Sequence, residues 1–331
     1  MNRRECIILL GGAMAAGTSV ARAQRRPGGM RRIGILVGIE NDTEGQMRIT
    51  AFLKRLSEHG WLAGKNVEID IRWAANSPDR ISAYVAELAR LTPDVIVATS
   101  TPVTAALHNS ITSIPIVFAV VTDPVGNGII TNLRKPEGNI TGFTNFEISM
   151  GGKWIEKLKE IAPRTARVGI MFNPANSPEV RAYYGPSIDA TAASLKVETI
   201  DMPIHDNVEI ERALVTLGRE ALGGFIVLPD NTTVRYRQRI ADLAIEHALP
   251  AVYPYRYFAA SGGLLSYGID TVDLYSRAAT YVDRILRGAT PADLPVQLPT
   301  KFEVVINLKT AKAIKLEVPD SLVVTANEVI E

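Results

Sequence analysis

Thr99-Ser100-Thr101 runs directly into Pro102, and three successive hydroxyls ahead of a proline have a chemical use. Proline is favoured in the first turn of a helix, so the hydroxyls and the free backbone N–H groups of that turn fall together at a helix N-terminus, where a negative group is welcome. Such a corner suits a carboxylate. Capping the helix needs only one hydroxyl, so a purely structural role leaves two of the three unexplained.

Two acids stand at comparable corners, Asp123 in Thr122-Asp123-Pro124 and Asp230 in Pro229-Asp230-Asn231. Either could meet an ammonium group, although turns and caps also use aspartate. The stretch Asn173-Pro174-Ala175-Asn176-Ser177-Pro178 adds amides and a hydroxyl, with Asn176 and Glu179 also spaced as a capping box. Tyr253, Tyr255, Tyr257 and Phe258 crowd a short segment of a chain that is only 6% aromatic, and Tyr267 follows at another strand end. These rings could face an apolar or aromatic ligand with phenol hydroxyls at its rim, in competition with core packing.

Catalytic signatures are missing: the sequence has no G-x-S-x-G, no G-x-x-x-x-G-K-[ST] and no G-x-G-x-x-G. His59, His108, His205 and His247 are scattered without metal-ligand spacing, and the only cysteine is Cys6. Binding without catalysis, cofactor or metal is the expectation.

The elements that must hold these corners follow from periodicity. Apolar runs at 33–37, 94–98, 116–120, 168–172, 225–228 and 264–267 are nearly continuous, as in strands covered on both faces of a parallel sheet. Residues 67–71 alternate instead, placing Val67, Ile69 and Ile71 on one face and predicting a strand nearer a sheet edge. Between the runs, Ile49, Phe52, Leu53 and Leu56 fall at helical spacing before Gly60, and Ile81, Tyr84, Val85 and Leu88 repeat that spacing after Ser77-Pro78. The alternation argues for α/β units. One arrangement also occurs twice: strand 94–98, polar corner, helix, Ile114-Pro115, strand; and strand 225–228, polar corner, helix, Leu249-Pro250, strand. Two similar lobes are predicted.

The N-terminus reads as an export signal. Arg3 and Arg4 precede a modest apolar segment, and Ala21-Arg22-Ala23 before Gln24 is an A-x-A cleavage pattern. The segment is too short and too rich in Gly and Ala to fill a bilayer core of about 30 Å. The paired arginines also resemble a twin-arginine motif, with Cys6 where that motif carries Phe. Cleavage would remove three arginines and one glutamate, taking the formal charge from +1 to −1, which gives no basis for a nucleic-acid surface. A soluble, monomeric, periplasmic protein without disulfides is expected.

With these features the chain resembles the ABC-transporter substrate-binding proteins of the tryptophan/tyrosine type. The resemblance spans essentially the whole chain and is carried by the Arg-Arg signal ending Ala21-Arg22-Ala23-Gln24, by Ile33-Gly34-Ile35-Leu36, Val121-Thr122-Asp123-Pro124-Val125 and Gly138-Asn139-Ile140-Thr141-Gly142, and by the tail Val305-Ile306-Asn307-Leu308-Lys309-Thr310-Ala311-Lys312. Residues 314–320 depart from the family's Gly-Leu-x-Ile-Pro-Pro form, far from the corners described above. The resemblance implies a type I periplasmic binding protein: two doubly wound parallel-sheet lobes joined by a hinge, closing on a small solute and delivering it to a permease driven by an ATPase. It further implies ligand residues Thr99, Ser100, Thr101, Thr122 and Asp123 in the first lobe and Asn176, Asp230 and Asn231 in the second, with Tyr255 and Tyr267 against the ligand's apolar body. An aromatic or apolar amino acid is the implied solute. A periplasmic sensor would use the same pocket, and an α/β enzyme is the less favoured reading.

The expected division is a signal peptide 1–23, a linker 24–30, an N-terminal lobe 31–143 plus 268–297, and a C-terminal lobe 144–267 plus 298–331. Crossings are expected near 142–145, 267–270 and 294–300, where Gly-flanked apolar runs or a Pro-rich extended stretch can leave one sheet for the next.

Overall fold

The computed structural model describes residues 29–145, 147–175, 179–220 and 222–331. The expected signal segment, most of the linker after it, and Asn176 lie outside the described residues.

From Arg31 the chain forms β1 (Arg31–Val37), α1 (Thr43–Glu58), β2 (Val67–Trp73), α2 (Pro78–Leu91), β3 (Val95–Thr99), α3 (Thr101–Ser110), β4 (Ile116–Val121) and β5 (Ile140–Thr144). These strands make one parallel sheet in the order β2-β1-β3-β4-β5. Its middle strands are the continuous apolar runs, with Ile33, Ile35, Leu36, Val95, Ile96, Val97, Ile116 and Val117 shut off from solvent, as strands covered by helices on both faces must be. The alternating strand β2 is the edge, and only its Val67 is fully covered.

The second sheet repeats the winding. It follows α4 (Met150–Ile161) with β6 (Arg167–Phe172), α5 (Val180–Ser194), β7 (Glu198–Pro203), α6 (Asn207–Gly218), β8 (Gly223–Val227), α7 (Asn231–Arg235), α8 (Arg237–Glu246), β9 (Ala251–Tyr253), α9 (Arg256–Ala260) and β10 (Leu265–Ile269). The parallel order β7-β6-β8-β9-β10 is the first sheet's order again, so the two stretches that look alike in sequence occupy equivalent strands, β3 with β8 and β4 with β9. After α10 (Thr271–Leu286) and a 3-10 turn (Pro291–Asp293) come β11 (Phe302–Asn307), α11 (Leu308–Ala313), α12 (Asp320–Thr325) and β12 (Glu328–Ile330). Strand β11 adds antiparallel to β10, and β12 pairs with β11.

The chain passes between lobes three times, after β5, after β10 and ahead of β11. Helix α10 leaves β10 in the second sheet and packs on α1, β3, β4 and β5 of the first, burying Leu274, Tyr275, Ala278, Ala279 and Val282. The third crossing runs beside the first: Thr144 N–H donates to the Gln297 carbonyl (3.0 Å) and Gln297 N–H to that of Gly142 (3.0 Å). Trp154, buried on α4, donates its indole N–H to the Tyr267 carbonyl at 2.7 Å, tying the helix after the first crossing to the strand before the second. Both sheets present the carboxyl ends of their strands, with the polar corners, to the space between the lobes, where open α/β sheets bind ligands.

Candidate functional site

At the end of β3 the three hydroxyls divide their work. Thr99 Oγ1 accepts from the Gly38 N–H (3.0 Å) and Thr101 Oγ1 from the Thr122 N–H (3.1 Å), each tying the corner to a neighbouring strand end. Neither caps α3. Ser100 occupies the N-cap position but makes no capping bond, and its buried Oγ has no partner among the described residues. Its backbone is held at φ 77°, ψ 154°, a region that side-chain-bearing residues rarely occupy. Gly38 leaves room for it, since a Cβ at that position would run into Ser100 Oγ and the Thr99 carbonyl. The next strand end is distorted as well: Val120, β-branched yet at φ 58°, sits at a register shift between Ala119 and Val121. Two strained residues at adjacent strand ends on one cleft mark a shape kept for something other than stability.

The second lobe supplies Asp230, which is buried and caps α7. Its Oδ1 accepts from Thr233 N–H (2.8 Å) and its Oδ2 from Asn173 N–H (3.2 Å). Burial pushes this carboxyl up to about 6 despite those donors. Tyr255 stacks on Tyr257 with ring centres 5.2 Å apart, and its hydroxyl accepts from Asn145 Nδ2 (2.7 Å). Thr122 Oγ1 in turn donates to Asn145 Oδ1 at 3.0 Å, so a chain Thr122–Asn145–Tyr255 runs from the first lobe through the first crossing to the second. Burial raises the Tyr255 phenol to about 12, which keeps it a neutral hydrogen-bonding group.

Thr99, Ser100, Thr101, Thr122, Asp230, Asn231 and Tyr255 therefore line one narrow cavity of about 50 Å³ between the lobes. Two residues expected there lie elsewhere. Asp123 takes φ 39° in its turn and accepts from Gly126 N–H at 2.9 Å, which commits its carboxylate to local geometry outside the cavity lining. Tyr267 stacks on Phe302 (6.2 Å) on the second crossing, also outside the lining. Asn176 lies outside the described residues.

The sequence reading missed Arg48, Asn145, Tyr275 and Ile39, which line the same cavity along with Tyr257, Pro102, Val120, Pro229 and Val234. A signal for Arg48 existed. Extending the apolar spacing of Ile49, Phe52 and Leu56 back one turn reaches positions 45 and 48, so a guanidinium stands on the core-facing side of α1, where Gly45, Arg48, Ile49, Phe52 and Leu56 are all buried.

Two parallel-sheet lobes, three crossings and a polar-and-aromatic cavity at the facing strand ends define a two-lobed solute-binding protein. Residues 32–330 match the family described as ABC transporter substrate binding protein, and the chain belongs to that family. Its members bind small solutes rather than transform them, act typically outside the cytoplasm, and serve ABC permeases. Among curated relatives, the chain is 27% identical over 288 residues, 87% of this chain and 81% of the relative, to a tyrosine-binding protein of Clostridioides difficile. Among solved structures it is similar to a conserved domain protein from Vibrio cholerae (TM-score 0.83, 24% identity, 91% of this chain and 100% of that one). An ABC domain in complex with L-Trp from Streptococcus pneumoniae is equally similar in fold (0.83, 22%, 91% and 100%). A ligand-free, open substrate-binding protein with adhesive properties from Clostridium difficile superposes at TM-score 0.70 with 24% identity, over 91% and 99% of the two chains.

Proposed function

We propose that this chain is the exported binding protein of an ABC importer for an aromatic or apolar amino acid. The observation that carries the reading is the composition of one cavity: the Ser100 hydroxyl at the start of α3, unpartnered among the described residues, the buried Asp230 carboxylate from the other lobe, and the stacked Tyr255 and Tyr257 all line it. An α-amino acid has the matching parts, a carboxylate for the helix start, an ammonium for the aspartate and an apolar body for the rings. The tyrosine and L-Trp named for two relatives support the same class. Thr99 and Thr101 shape the carboxylate corner, Thr122, Asn145 and Asn231 border it, and Asn176 is retained as a second-lobe contact. The A-x-A pattern supports a mature N-terminus at Gln24 in the periplasm, and the monomer is proposed alongside it.

Thermal-shift screening of amino acids, aromatic acids and sugars tests the reading. Tyrosine, tryptophan or phenylalanine at about 100 times its Kd should stabilise the fold by about 2.7 kcal/mol. Melting shifts produced by sugars alone would refute the solute class. Peptide sequencing of a periplasmic extract checks the cleavage site, and light scattering the monomer.

A further inference from the structure

Arg48 carries a buried charge that Glu44 and the hydroxyls of Tyr257 and Tyr275 favour, but that no carboxylate pairs with directly among the described residues. It is 3% exposed on α1, yet among the described residues it forms no ion pair, and its Nε–H has no hydrogen-bond partner. The guanidinium lies 5.0 Å from the centre of the Tyr257 ring and 6.0 Å from that of Tyr275, both neutral phenols. Glu44, one turn earlier on the same helix, is engaged by Arg256 at 3.3 Å. Burying a cation with no direct ion pair is costly, and the Nε–H left over on it is a donor that an anion arriving from outside can use.

The cavity gives that anion its place. Arg48 and Ser100 line the same space from two elements, α1 and the start of α3, and both carry a buried polar atom without a partner. We propose that Arg48 is the counter-charge for the ligand's carboxylate, with Ser100 Oγ as a second donor to the same group, so that the pocket selects for the acid itself and rejects amides and amines. This rests on the amino-acid reading above and adds its specificity-determining residue. An arginine suits the task because its planar fork grips a carboxylate with two parallel hydrogen bonds, which a lysine cannot reproduce. The flanking Tyr257 and Tyr275 rings fix the orientation of that fork by cation–π contact without neutralising it.

The test uses L-phenylalanine, L-phenylalaninamide, phenethylamine and phenylacetate as probes, titrated calorimetrically into the wild type, Arg48→Gln and Arg48→Lys. In the wild type L-phenylalanine should bind about 30-fold or more tighter than its amide. Arg48→Gln should remove most of that preference, weakening the acid while leaving the amide nearly unchanged, and Arg48→Lys should retain only part of it. Should Arg48→Gln melt too low to assay, the readout moves to the wild type. The Arg48 Nε–H proton resonance, assigned with Arg48→Lys, should shift downfield with L-phenylalanine or phenylacetate and stay put with phenethylamine. Acid and amide losing affinity equally in Arg48→Gln, or a resonance that ignores carboxylates, would overturn the role of Arg48 while leaving the amino-acid reading intact. A wild type that binds none of the four probes, nor any amino acid, would overturn both.

Discussion

Ser100 combines a strained backbone with a free hydroxyl, and the two can be separated by substitution. In its present φ/ψ region a glycine is comfortable and a serine is not, so Ser100→Gly should stabilise the unliganded protein by about 1 kcal/mol while weakening a carboxylate ligand by about 1.5–3 kcal/mol through loss of the donor. Ser100→Ala keeps the strain and loses the donor, so it should bind as weakly as Ser100→Gly while gaining less stability, only what removing a buried unpaired hydroxyl returns. Denaturant melts and calorimetry on both variants decide, and a Ser100→Gly that is less stable than the wild type would mean that the hydroxyl is tied to the fold. Asp230 makes a pH-dependent claim. Its carboxyl is raised to about 6 by burial, and only the ionised form attracts an ammonium. Affinity for an amino acid should therefore fall as pH drops through 6, about tenfold between pH 7 and pH 5, and Asp230→Asn should bind weakly with no such slope. An unchanged slope in Asp230→Asn would remove Asp230 from the site.

At the scale of elements, β11 brings Glu303 to the join between the lobes, where burial, Asp270, Glu328 and Glu44 raise its carboxyl to about 7 against the partial relief of Arg256. The sign follows from linkage. A carboxyl whose folded value lies above its unfolded one holds its proton better when folded, so stability contributed by this group falls as pH rises from the ordinary glutamate range through 7. Glu303→Gln should thus gain stability relative to the wild type between pH 5 and pH 8, and parallel melting curves at both pH values would exclude the effect. Periodicity made most such elements legible beforehand. The continuous runs became central strands, alternation at residues 67–71 gave the edge strand β2, and the doubled strand–corner–helix pattern became the doubled winding. Local pattern does not encode which corners face each other. Asp123 and Asp230 look alike in sequence, yet one folds back on Gly126 and the other caps α7 toward the cavity. Asn145 matters because a crossing places it against Tyr255, a partner 110 residues away, and no short window contains that pairing.

The whole molecule is expected to open when it loads a ligand, because the cavity between the lobes, about 50 Å³, has room for only a few waters and an aromatic amino acid needs more. Two ion pairs oppose that opening from the N-terminal end of α1: Asp42 with Arg237 at 2.7 Å and Glu44 with Arg256 at 3.3 Å, each joining the first lobe to a helix of the second. These side chains are between 15% and 30% exposed, so each pair is worth about 1 kcal/mol or less. That is small against folding but large against a hinge equilibrium of a few kcal/mol, where 1 kcal/mol changes the ratio of closed to open molecules about fivefold. Asp42 also caps α1 through Gly45 N–H, and asparagine caps as well as aspartate, so Asp42→Asn removes the ion pair while sparing the helix. Small-angle scattering of Asp42→Asn should show a larger radius of gyration than the wild type without ligand, the same radius at saturation, and a ligand affinity lower by no more than about fivefold through faster release. Raising ionic strength should move the wild type the same way and move the variant less, since exposed pairs are what salt screens. Identical scattering for both proteins at low salt would show that the cross-lobe pairs do not set the balance between open and closed, and that the cavity contacts alone hold the lobes together.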